Sequence, residues 1–498
     1  MANSLSLQNL FFKHPPLIDS EDGILNEMQR VFANQSIEFD SLIELKSLWR
    51  IAFSEVDIVK NWQSLLIVTL LRFHTKVESQ AVLQKFHFLF NQPWNHESQY
   101  LKALVALNQC LLGLTPLDLG LKILEGGAIP IELQEYCPWQ SLPYCPYHAE
   151  LGVIVTLLGF LSGNTTLIND AKRMANWQLN TLDAHFSPLI GLFVQEKDGM
   201  VSQHLLWNYI FFYSISRLLG ESSFEVIAQA QLKQLESLIE IKTFSISPLF
   251  PLIEKLIHDR SDKPTEETLK LPEHFFDPST SLVGLRNEQQ HAICTLHGGH
   301  TGLGCYRFQD VQIINYGPQY MPLEECQGFG IEGNYLSDQG LRKSTFEVGR
   351  QSFSMKGCVR FVDQPLSVPQ DNLFHFGKLR GIWLETEQQF KDLKLNIKTN
   401  FLGIQGWDSV AFSFFVKAQR CRIDSTCLEP RTLNNYEGRV GSITLEGQKG
   451  NVLLTSSFEG TMQIIPLGSD DNFWGADFII AYLLDSSQSK YHWQISSV

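Results

Sequence analysis

Apolar residues recur every three or four positions from about Ile37 to Ile257, the spacing of a helix face. Beyond about residue 280 they recur at every second position, the spacing of a strand with one buried side. The helical pattern falls into pairs. Leu65 to Phe73 leads through His74-Thr75-Lys76 into Gln80 to Phe88, and Leu104 to Leu112 leads through Gly113 into Leu117 to Leu124. Val153 to Leu161 leads through Ser162-Gly163-Asn164 into Leu167 to Leu179, and Asn208 to Leu219 through Gly220-Glu221-Ser222 into Phe224 to Leu235. In the last three pairs a glycine closes the first helix, because glycine takes the left-handed cap cheaply, and Thr115, Thr165 or Ser222 caps the next. The pattern predicts αα-hairpins, and their uneven spacing favours an incomplete α/α toroid over a regular solenoid.

The helical pattern dissolves at Arg260-Ser261-Asp262-Lys263-Pro264-Thr265-Glu266-Glu267, and Pro272 and Pro278 follow. The predicted division is an all-helical domain over 1–258, a linker over 259–279 and a large antiparallel β-sandwich over 280–498. Leu393, Leu395, Ile397 and Phe401 alternate with Lys394, Asn396, Lys398 and Asn400, and Val410, Phe412, Phe414 and Val416 repeat the alternation. Further short strands are expected near Val311–Tyr316, Phe346–Val362, Gly441–Glu446, Val452–Ser456, Thr461–Leu467 and Asp477–Leu484. Tight turns at Gln448-Lys449-Gly450 and Glu459-Gly460 join neighbours at hairpin spacing. The fold class is therefore multidomain α+β.

Composition narrows the partners. A chain of 498 residues with 44% hydrophobic and 18% charged residues has material for more than one core. Its net charge of −14 argues against nucleic acid and anionic membranes as partners, and leaves polysaccharide, oligosaccharide or peptide. The start, Met1-Ala2-Asn3-Ser4-Leu5, lacks the basic flank and apolar run of a secretory signal, and no stretch of eighteen apolar residues occurs. Nine cysteines without a framework fit a reducing compartment, so the expected location is cytoplasmic.

Four glycines in seven positions and two histidines make His297-Gly298-Gly299-His300-Thr301-Gly302-Leu303-Gly304 the densest polar signal; it presents His297, His300 and Arg307 to a ligand, or else forms a packed turn. No cofactor is expected. Zinc is the alternative, on His291, Cys294, His297 and His300, although residues three apart on a strand face opposite sides. Tyr147 and His148, in a proline-flanked loop before a helix, suit the gripping of a sugar, or pack the helix start. Asn176, Trp177, His204 and Tyr209 form a further group, in which the tryptophan is a candidate to bind substrate or else a core aromatic. No P-loop, dinucleotide fingerprint, Gly-x-Ser-x-Gly elbow or His-Glu-x-x-His helix is present.

The order of helical hairpins, linker and sandwich resembles the heparinase II/III-type polysaccharide lyases. The segment Leu161-Ser162-Gly163-Asn164 to Ala175-Asn176-Trp177 is similar to their toroid hairpins, and His297-Gly298-Gly299-His300 before Val311 to Pro318 resembles the segment that opens their sheet domain. The resemblance implies β-elimination on an acidic glycan in an interdomain cleft, with Asn176 neutralising the uronate carboxylate and His297 or His300 contributed by the sheet domain. His204 and Tyr209 are the residue-based candidates for base and acid. The rivals are a non-catalytic glycan- or protein-binding scaffold and a glycoside hydrolase, which would need a carboxylate pair such as Glu150 and Asp183.

Overall fold

The computed structural model describes residues 99–114, 116, 119–121, 123, 125–128, 147–189, 200–239, 249–258, 269–278, 280–296, 302–320, 331–332, 345–362, 381–402, 410–432, 434–458, 460–467, 475–485 and 487–498. The hairpin expected at Leu65 to Phe88 lies outside them. The chain forms two compact units, one drawn from Met1–Lys122, Ala149–Ala175 and Ser202–Leu269, the other from Ile123–His148, Asn176–Val201 and Lys270–Val498. Helices occupy the N-terminal half and two antiparallel sheets the C-terminal half. No helix among the described residues is long and apolar enough to cross a membrane.

The described helices are α1 (Gln99–Leu111), α2 (Tyr147–Ser162), α3 (Thr165–Gln178), α4 (Met200–Leu219), α5 (Glu225–Ile239) and α6 (Leu249–His258). Gly113, Gly163 and Gly220 follow α1, α2 and α4 with φ of 73°, 65° and 77°, the left-handed geometry that the sequence predicts there. The cap of α3 is Asn164 rather than the expected Thr165: its Oδ1 accepts the backbone N–H of Thr166 at 2.9 Å and of Leu167 at 3.3 Å. The helix expected at Leu117 to Leu124 does not form over its described residues, where Gly120 turns left-handed at φ 49°. In α2, Gly152 admits the Phe211 ring of α4 so closely that a methyl group would overlap it.

Among the described residues, one sheet runs β1 (His274–Asp277), β2 (Leu282–Arg286), β3 (Gln290–Thr295), β4 (Gly304–Phe308), β5 (Val311–Tyr320), β11 (Val410–Lys417), β18 (Phe478–Leu483), β17 (Met462–Pro466), β14 (Tyr436–Gly438). The other runs β13 (Thr426–Leu428), β12 (Arg420–Ile423), β15 (Ser442–Glu446), β16 (Asn451–Ser456), β19 (Lys490–Ser497), β10 (Lys394–Leu402), β9 (Gly381–Lys391), β8 (Phe353–Val362), β6 (Ile331–Glu332), with β7 (Thr345–Val348) also on β8. Their inner faces share one apolar core, in which Phe412 stacks on Trp493 at 4.0 Å between centroids. Strand β1 lies inside the stretch expected to be a linker. It is short and its apolar content is only Phe275 and Phe276, so proline and charge around it masked the strand.

Candidate functional site

The β3–β4 connection carries the glycine-histidine segment. His297 and His300 lie outside the described residues, but both ends of the segment are described. The backbone N–H of Thr295 donates to Leu303 O at 2.9 Å, and that of Leu303 donates to Tyr316 O at 2.8 Å. Gly302 has φ 65°, and a methyl group there would overlap the Asn315 side chain and sit 2.7 Å from Tyr316 O, so this position accepts glycine alone. Beneath the stem, Tyr316 Oη lies 3.4 Å from Cys294 Sγ and donates to Gln388 Oε1, while Gln388 Nε2 donates to Leu303 O at 3.3 Å. Burial pushes the Cys294 thiol up to about 12, so it stays protonated and unreactive.

The opposite face of the same stem is covered by the end of α3. Trp177 packs in one cluster with Ile293 and Cys305, which are register partners one step from the stem, and with Phe275, Leu282, Leu189 and Ala128. Its indole N–H donates to Asp277 Oδ2 at 2.8 Å. His148 lies 5.0 Å from the Trp177 ring and is 1% exposed; burial lowers it to about 4, against hydrogen bonds with Gly127 and Gln178. Asn176, one residue before this anchor, is exposed.

A row of basic side chains runs across that face. Arg286 is the register partner of His291, and His291 of Arg307, on β2, β3 and β4. Asp183 takes an ion pair from Arg307 and also accepts the backbone N–H groups of His185 at 2.8 Å and Ser187 at 2.9 Å. Arg286 donates to the carbonyls of Leu179 at 3.1 Å, Leu182, and Pro272 at 2.9 Å, ending the short 3-10 turn Leu179–Thr181 on the sheet. Desolvation lowers Arg286 to about 10, with Asp183 acting the other way, so it keeps its charge at neutral pH. Burial, and then Arg307 and Arg286, hold His291 neutral.

These positions answer the sequence expectations unevenly. Asn176, Trp177, His148 and Arg307 all fall in the unit that carries the glycine-histidine stem. Within it Trp177 and His148 are packing groups rather than surfaces for a sugar, and Arg307 is committed to Asp183. Tyr147 opens α2. His204 and Tyr209, both on α4, are 5% and 3% exposed. Burial lowers His204 to about 4 and raises Tyr209 well above its ordinary value, so both are neutral, and neither touches a polymer as its side chain stands. Tyr209 instead stacks on Tyr213 at 5.6 Å and leans on Phe250 at 6.2 Å. Asp183, with both oxygens engaged, is poorly suited to the proton transfers of a hydrolase. His291 and Cys294 emerge on opposite faces of β3, so the strand does not present both to one zinc ion. Asp277 and Arg286 were missed by sequence reading; the one signal for them is an arginine closing the otherwise apolar Leu282-Val283-Gly284-Leu285.

No protein-family model matches the chain, and no curated protein matches it.

Proposed function

We propose that the chain is a carbohydrate-active protein of the polysaccharide lyase kind, similar to the heparinase II/III type, with its helical hairpins forming an incomplete α/α toroid. It cleaves an acidic glycan by β-elimination. In that reaction a base removes the proton on the carbon beside the uronate carboxylate, a double bond forms, and the glycosidic C–O bond breaks as an acid protonates the leaving oxygen. The step is slow unless the carboxylate charge is neutralised, because the developing negative charge spreads onto it. Asn176 neutralises that group, and His297 or His300 moves the proton.

The observation that carries this reading is the packing of Trp177 on Ile293 and Cys305. It brings an exposed asparagine and the stem of a histidine-bearing loop, more than a hundred residues apart in sequence, onto one packed framework. The described ends of the glycine-histidine segment are held by backbone bonds and by the Tyr316–Gln388 pair. Burial of His204 and Tyr209 favours one rival, a glycan-binding scaffold without turnover.

The test is ultraviolet absorbance of the unsaturated uronate product on a panel of acidic glycans, with wild type, Asn176→Ala and a His297→Ala/His300→Ala double variant. Product from wild type, and its loss in both variants at unchanged melting temperature, is the expected result. Glycan binding without product from wild type would leave the scaffold reading in its place.

A further inference from the structure

The outer face of the second sheet carries an unbroken line of uncharged hydrogen-bonding side chains across six strands. Ser354 pairs in register with Gln389, Gln389 with Asn396, Asn396 with Gln494, Gln494 with Thr455, and Thr455 with Ser442. Their sequence neighbours Phe353, Met355, Phe390, Leu395, Ile397, Trp493, Ile495, Leu454 and Ile443 belong to the core, so the pleat turns the polar six outward. Gln494 Nε2 donates to Asn396 Oδ1 at 2.8 Å, fixing two amides side by side. At a strand spacing of about 4.8 Å the line is about 24 Å long.

Lysines flank it. The row on one side contains Lys356, Glu387, Lys398 and His492, and the row on the other begins with Lys391 and Lys394. The four lysines are exposed, and among the described residues none is held in an ion pair. Four lysines against Glu387 and Glu347, the latter the register partner of Ser354 on β7, still give the three rows a positive balance on a chain whose net charge is −14. Trp383, 38% exposed, stands further along the same face of β9.

We propose that this face is a docking track for an acidic polysaccharide chain. Carboxamides both donate and accept, which matches sugar hydroxyls that do the same, whereas phosphate oxygens only accept. Strands repeat at nearly the length of one pyranose unit, so an extended glycan laid across them meets a similar amide or hydroxyl at each step. Its carboxylates reach the flanking lysines, and Trp383 offers a ring face to a sugar. The track lies on the sheet whose other side faces the shared core, away from Trp177 and the glycine-histidine stem. It rests on the reading above only for the choice of a polysaccharide over other polyanions.

Calorimetric titration with an oligogalacturonate at low ionic strength tests it without any turnover. Lys356→Glu/Lys398→Glu and Lys391→Glu/Lys394→Glu should each weaken binding by roughly tenfold or more while melting temperature is kept. Asn396→Leu/Gln494→Leu, which keeps the charge, should weaken it as well. Single-stranded DNA and phosphatidylserine vesicles should bind far more weakly than the oligosaccharide. Unchanged affinity in both lysine variants, or DNA or vesicles binding as tightly as the glycan, would overturn the proposal. Absence of unsaturated product with intact, lysine-dependent binding would remove the lyase reading and leave the track standing.

Discussion

The Trp177 indole N–H reaches Asp277 Oδ2 at 2.8 Å, joining the end of α3 to the edge strand β1 of the first sheet across a hundred residues of sequence. Trp177 is 1% exposed and Asp277 4%, so neither end of this bond can turn to water if the other is removed. Trp177→Phe keeps most of the ring's packing and removes the donor. It should cost about 1 to 3 kcal/mol, whereas Trp177→Ala, which also opens a cavity, should cost roughly 3 to 5 kcal/mol. Denaturant midpoints of the three proteins give the comparison, and a Phe variant as stable as wild type would show the bond to be dispensable.

Gly302 and Gly163 share a φ of 65° but differ in what surrounds them. Around Gly163 there is open space, while a methyl at Gly302 runs into Asn315 and the Tyr316 carbonyl. Gly163→Ala should cost about 1 to 2 kcal/mol, the price of left-handed backbone with a side chain. Gly302→Ala adds overlap against backbone that cannot swing aside, and should cost clearly more, with about 1 to 3 kcal/mol of overpacking on top. Equal losses in thermal unfolding would mean that the stem of the glycine-histidine segment yields easily.

Much of this architecture is legible in the chain because single periods carry it. Lys394–Leu402 alternates exposed and buried positions as its polar and apolar residues do, and the glycines after α1, α2 and α4 take the left-handed geometry that their position implies. What escapes is what depends on register and long range. Nothing local marks Arg286, His291 and Arg307 as one cross-strand row, since their alignment is set by the pairing of β2, β3 and β4. The Ser354 to Ser442 line is hidden for the same reason, each member being an ordinary polar position on its own strand. Periodicity also does not separate a helical residue that faces a substrate from one that faces a core, and His204 and Tyr209 face the core.

The Arg307–Asp183 ion pair is nearly closed to solvent on the aspartate side, at 6% side-chain exposure, and more open at the arginine, at 23%. Removing the arginine leaves the buried carboxylate without its ion-pair partner, held by the backbone N–H groups of His185 and Ser187 and the neighbouring charge of Arg286. Arg307→Ala should therefore destabilise by about 3 kcal/mol, and Arg307→Lys by less, since a charge is kept but the guanidinium's second bond to Gln309 O is lost. Urea unfolding of the two variants checks the order. An Arg307→Ala protein of wild-type stability that loses glycan binding would instead assign the residue to a ligand.

Acid should weaken the fold through its buried imidazoles. His148 and His204 are lowered to about 4 by burial, against an unfolded value of about 6.5, so between those values the unfolded chain binds more protons than the folded one. Their stabilising effect is complete above about 6.5, falls as pH drops, and is lost below about 4, at roughly 3 kcal/mol for each. Glu150 works in the opposite direction. Desolvation raises it to about 7 despite the hydrogen bond from Tyr100 at 2.7 Å, so its burial costs stability as pH climbs from about 4.5 to about 7. Two histidines outweigh one glutamate, and unfolding free energy should fall from pH 6.5 to pH 4. Glu150→Gln, which still accepts from Tyr100, should be more stable than wild type at pH 8 and steeper in its acid loss. His204→Gln should be shallower. A set of urea titrations from pH 4 to pH 8 reads all three slopes, and a wild-type curve flat across that range would show that these imidazoles protonate without leaving their sites.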